Sequence, residues 1–99
     1  METCEKIKTV EDISLVEPKK YKVIFWNDDT TPMGVVIQIL IEVFLYTQED
    51  AIVRMLEIHH KGNGVAGTYI KSIAETRQSM AIDMSKKYGC SLKVTIEKE

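Results

Sequence analysis

From Tyr21 to Trp26 the chain runs Tyr-Lys-Val-Ile-Phe-Trp, rich in aromatic and β-branched residues, and the polar cluster Asn27-Asp28-Asp29-Thr30-Thr31 closes it. This is the pattern of a strand ending in a turn. Thr31-Pro32 then opens a helix, with Thr31 at the capping position and Pro32 at the first helical position, where its missing N–H is not needed. That helix, to about Tyr46, is apolar nearly all round. Val36, Ile39, Leu40 and Val43 make one stripe, while Val35, Ile37, Ile41 and Leu45 cover much of the other side. Such a helix is either wholly packed or presents an apolar patch to a partner. Thr47, followed three residues on by Asp50, caps a second helix that reaches about His60. Lys61-Gly62-Asn63-Gly64 supplies its basic last turn and glycine stop.

Val65 to Ile70 reads as a short strand of small residues, and Ser72-Ile73-Ala74-Glu75 is a capping box for a third helix to about Tyr88. Ile73, Ala74, Met80, Ala81 and Met84 recur there at helical spacing, and Gly89 ends the pattern. Ser91 to Glu97 alternates Leu92, Val94 and Ile96 with Lys93, Thr95 and Glu97, the period of a strand with one buried face. The order β-α-α-β-α-β predicts an α+β fold: a three-stranded antiparallel sheet with three helices on one face. Residues 1–19 carry alternating charge without a steady apolar period and read as a flexible N-terminal arm, leaving 20–99 as the folded domain.

Composition narrows the possible functions. At 99 residues and 11.3 kDa the chain holds one core, and a domain of this size buries only roughly 60–70% of the surface its unfolded chain exposes, which favours a surface groove over a deep cavity. Thirteen Lys and Arg against fifteen Asp and Glu, a net charge of -2, argue against a nucleic-acid surface. The longest apolar stretch, Val35 to Leu45, is interrupted by Gln38 and Glu42 and is too short for a membrane span. The opening residues METCEKIKTVED lack the apolar segment of a signal peptide, so a cytoplasmic address is expected. Cys4 and Cys90 form no ligand pair and read as reduced thiols.

The densest polar cluster is the Asn27–Thr31 corner. Asn, Asp and Thr are what a turn and a helix cap need; the same residues also form an anionic corner able to hold an ammonium group or a metal. The alternating ligands and central glycine of a calcium loop are absent. His59 follows Ile52 and Met55 on the apolar side of the second helix, whereas His60 points about 100° away and does not share an ion with it. No nucleophile elbow or phosphate-binding glycine loop occurs. The expectation is a chain with no catalytic residue, no cofactor and no metal, a metal hydrolase built on Asp28, Asp29 and His59 being the weakest reading.

Taken together, Tyr21-Lys22-Val23, Asn27-Asp28-Asp29-Thr30-Thr31-Pro32-Met33, Met55-Leu56-Glu57-Ile58-His59-His60-Lys61-Gly62 and Ala74-Glu75-Thr76 resemble the Clp protease adaptor family, ClpS. The resemblance covers about Pro18 to the C-terminus. It implies a fold like the C-terminal domain of a ribosomal stalk protein. It also implies a monomeric, non-enzymatic adaptor that binds proteins with a large apolar N-terminal residue (an N-degron) and hands them to the N-terminal domain of a ClpA-type or ClpC-type AAA+ unfoldase for degradation by ClpP. By similarity, Asn27, Asp28 and His59 hold the substrate's α-amino group. Thr31, Met33, Val36, Met55, Ile58 and Leu92 line the side-chain pocket, with Met33 at its rim rejecting β-branched residues. Ser72 and Arg77 fall where the family docks on the unfoldase, and residues 1–19 match the arm that engages it.

The chemistry suits that assignment. A free α-amine has a reference pKa of about 7.7–8.0 and is an ammonium at neutral pH, asking for acceptors. Asp28, Asn27 and His59 offer a carboxylate, an amide oxygen and an imidazole nitrogen. Three residues depart from the family pattern: Gly34 replaces a larger, often acidic residue, Ile41 is apolar where relatives are often polar, and Ser72 replaces an acid found in some relatives. The rival reading is a stalk-like interaction domain that docks on another protein through its first helix, the Asn-Asp-Asp corner serving only as a cap.

Overall fold

The computed structural model describes residues 18–99. Three strands, β1 (Lys20–Trp26), β2 (Asn63–Ile70) and β3 (Lys93–Lys98), alternate with three helices, α1 (Met33–Phe44), α2 (Gln48–Lys61) and α3 (Lys71–Lys87), in the order β-α-α-β-α-β. The sheet order is β2-β1-β3, and β1 is antiparallel to both neighbours. Val23 and Phe25 on β1 enter the cluster formed with the helices, whereas Ile24 between them is buried on the opposite sheet face. The arm expected over residues 1–19 lies, up to residue 17, outside the described residues, as does Cys4.

Five boundaries differ from those the sequence pattern suggests. Pro32 is the residue before α1 rather than its first residue, and no side chain caps the helix. α1 ends at Phe44 instead of Tyr46, because Leu45 turns left-handed at φ 60° and the Tyr46 N–H returns to the Leu40 carbonyl at 3.1 Å. That turn frees Tyr46, whose hydroxyl donates to the Ala66 carbonyl at 2.6 Å beside the β1–β2 bulge. β2 starts at Asn63, two residues early, because β1 runs on to Trp26 and pairs with it.

The capping box expected at Ser72 does not form. The residue before α3 is Ile70, without a side-chain cap, and Ser72 sits within the first turn, its carbonyl accepting from the Thr76 hydroxyl. The buried side of α3 is Ala74, Ala81 and Ser85, while Ile73 and Met80 are exposed. Small residues let this helix lie close against all three strands. β3 begins at Lys93 rather than Ser91, because the Leu92 N–H donates to the Ser85 hydroxyl at 3.0 Å and is held outside the ladder. The Thr47 cap forms as expected, accepting from the Asp50 N–H at 3.2 Å.

Candidate functional site

The β1–α1 corner is organised by Asp28. Its Oδ1 accepts from the Thr30 N–H at 3.2 Å, and its Oδ2 accepts from the hydroxyls of Thr30 at 2.9 Å and Thr31 at 2.7 Å. The Thr31 bond first, then the Thr30 N–H and hydroxyl, hold this carboxyl below its ordinary value of 3.8, with burial opposing weakly. Thr31 was expected to cap α1. Its hydroxyl is instead committed to Asp28, so the residue serves the corner's charge rather than the helix.

A second bond joins the corner to α2. Gly62, left-handed at φ 90°, ends that helix, and its carbonyl accepts from the Asn27 N–H at 2.9 Å. A side chain at this φ is strained, which explains glycine here. The bond sets Asn27 and Asp28 beside the last turn of α2, where His59 is exposed with its ring 5.5 Å from that of His60.

Between the corner, the start of α1 and the end of α2 lies a cavity of about 270 Å³. Asn27, Asp28, Thr31, Met33, Val36, Met55, Ile58, His59 and Leu92 all line it, so every residue expected at the amino and side-chain sites borders one cavity. Val36, Met55, Ile58 and Leu92 are buried and form its apolar depth, while Met33, 45% exposed, stands at the mouth. Trp26, Asp29 and Pro32 complete the lining. Trp26 escapes the sequence pattern because its run reads as strand, although it stands directly before Asn27. Its indole N–H donates to the Thr95 hydroxyl at 2.8 Å, and the Lys93 ammonium lies 5.2 Å from its ring centre.

Ser72 and Arg77 do not share this cavity. Ser72 is exposed at the start of α3. Arg77 is half-buried, donates to the Val43 carbonyl at 2.6 Å, and places its guanidinium 5.9 Å from the Tyr69 ring centre. Among the described residues no three His, Cys, Asp or Glu side chains converge on a metal position, and no helix is long and apolar enough to cross a membrane.

A small α+β domain with a cavity that joins an apolar lining to carboxylate, amide and imidazole groups is built for binding. The comparisons give that binding domain a family. Residues 16–95 match the family described as ATP-dependent Clp protease adaptor protein ClpS. Relatives named ATP-dependent Clp protease adapter protein ClpS are 45% identical over 94 residues in Campylobacter jejuni, covering 95% of this chain and 98% of the relative. The relative in Neisseria meningitidis serogroup A is 43% identical over 88 residues, covering 89% and 85%. The solved structure of Agrobacterium tumefaciens ClpS2 bound to L-phenylalaninamide superposes with a TM-score of 0.81 at 36% identity, covering 84% of this chain and all of that one. The chain belongs to the ClpS family of Clp protease adaptors.

Proposed function

We propose that this protein reads the first residue of other proteins: it binds those with a free α-amino group and a bulky apolar N-terminal side chain, and delivers them in the cytoplasm to a ClpA-type or ClpC-type unfoldase that feeds ClpP. The observation that carries this reading is the adjacency, in one cavity, of the Asn27, Asp28 and His59 acceptors and the apolar depth of Val36, Met55, Ile58 and Leu92. The ammonium lies against Asp28, kept anionic by Thr30 and Thr31, while Asn27 and His59 accept its remaining N–H groups. The side chain enters between α1 and α2. At about 270 Å³ the cavity is smaller than a usual drug-sized site and suits one side chain rather than a longer ligand. L-Phenylalaninamide, the ligand in the ClpS2 structure, joins a free α-amine to such a side chain.

Methionines at positions 33 and 55 are flexible and polarizable, so Phe, Leu, Tyr and Trp can share the site. Burying one such side chain contributes roughly 1.5–3 kcal/mol, and each charge-assisted hydrogen bond about 1.5–3. Association opposes these by about 4–15 kcal/mol, which leaves micromolar or weaker binding, suited to a carrier that must release its load. Unfoldase docking is assigned to Ser72 and Arg77 on α3, Ser72 exposed and Arg77 half-buried, with its guanidinium on the Val43 carbonyl and near the Tyr69 ring. Residues 1–19 are assigned to handover. The test is a peptide pair with N-terminal Phe, one free and one N-acetylated. The free peptide binds and the acetylated one does not; equal binding would sink the proposal.

A further inference from the structure

The exposed apolar surface does not stop at the cavity. Exposed Met33 and half-buried Ile37 and Ile41, the latter two packed in part against the core, recur every four residues along one side of α1, and exposed Leu45 follows at its end. Ile52 and Leu56 recur along α2 and lead to His59, and both are exposed, at 37% and 42%. At about 100° per residue each set occupies one flank of its helix. Met33 and His59 line the same cavity, so these two flanks face each other across the α1–α2 seam. Neither row contains a Lys, Arg, Asp or Glu. The seam is thus an apolar strip running from the cavity mouth toward the α1–α2 turn.

We propose that this strip receives the substrate residues that follow the first, so that the preferred substrates carry apolar side chains a few positions downstream of their N-terminus. The inference rests on the reading of the cavity given above. Continuity selects the occupant: a chain whose first side chain fills the cavity leaves it at Met33 and His59, where the strip begins. From Met33 to Ile41 the helix rises about 12 Å, the span of three to four extended residues. Side chains of an extended chain alternate in direction. With the first pointing into the protein, the third and fifth point at the seam and the second and fourth point away.

Two peptides test this, both with a free N-terminal Phe: Phe-Ala-Leu-Ala-Leu-Ala and Phe-Ala-Ser-Ala-Ser-Ala, titrated against wild-type protein and the surface variant Ile52→Ser/Leu56→Ser. The Leu peptide binds wild type about three- to tenfold more tightly, and the variant binds both peptides as wild type binds the Ser peptide. Equal affinities for wild type, or a preference that persists undiminished in the variant, overturn the inference. A variant that keeps the preference but loses unfoldase association also overturns it and makes the strip a partner surface. If the cavity reading itself is wrong, neither peptide distinguishes its free from its N-acetylated form, a different signature.

Discussion

Of the two aspartates that line the cavity, Asp28 is the one Thr30 and Thr31 hold in place, and their hydrogen bonds decide how its charge behaves. Asp28→Ala is expected to weaken binding of an N-terminal Phe peptide by about 10- to 100-fold, the loss of one charge-assisted bond to an ammonium, measured by fluorescence anisotropy. The same variant reads out proton linkage. The native carboxyl titrates below 3.8 because it accepts from Thr31 and Thr30, so its contribution to stability is present above that value and disappears as pH falls through the native pKa. Denaturant melts should therefore show wild type ahead of Asp28→Ala at pH 5, with the gap closing as pH drops below about 3.8. The charged corner was legible as a cluster. The use of Thr31 was not, because a threonine before Pro32 suits a helix cap and an aspartate partner equally well, and only the fold of the corner chooses.

At the level of elements, two glycines make opposite predictions. Gly34 is the second residue of α1, and a Cβ there meets nothing within 4 Å. Neither backbone angle nor packing requires it, so Gly34→Ala should raise stability by about 0.5–1 kcal/mol with peptide binding intact. Gly64 in β2 is different: a Cβ there would lie 2.7 Å from Ile58 Cγ1. Gly64→Ala should lower stability by about 1–3 kcal/mol and weaken binding, since Ile58 lines the cavity and must move into it; thermal melts and titrations check both. Element type was readable throughout, because the period-2 run at the C-terminus and the Thr47–Asp50 cap are local signals. Boundaries at Leu45, Asn63, Ile70 and Lys93 were not. The end of α1 depends on the left-handed turn at Leu45, the start of β2 on its pairing with Trp26 far back in the chain, and the start of β3 on Ser85 holding Leu92, none of which a local hydrophobic period records.

For the molecule as a whole, the cavity draws on residues from Trp26 to Leu92 and exists only once α1, α2 and the approach to β3 converge. Periodicity marks Val36, Met55 and Leu92 as apolar; it does not separate a cavity wall from ordinary core, and for these residues the family resemblance supplied what pattern alone lacked. The path of β1 has a practical side. The cavity opens at its Trp26 end, while Lys20 starts the strand about 20 Å away, and the Glu99 N–H donates to the Lys20 carbonyl there. Residues 18 and 99 therefore lie together at the end of the sheet away from the cavity. Protein tethered to a sensor chip through either end should bind an N-terminal Phe peptide as free protein does, because a surface fixed at that end of the sheet leaves the approach to the cavity unobstructed.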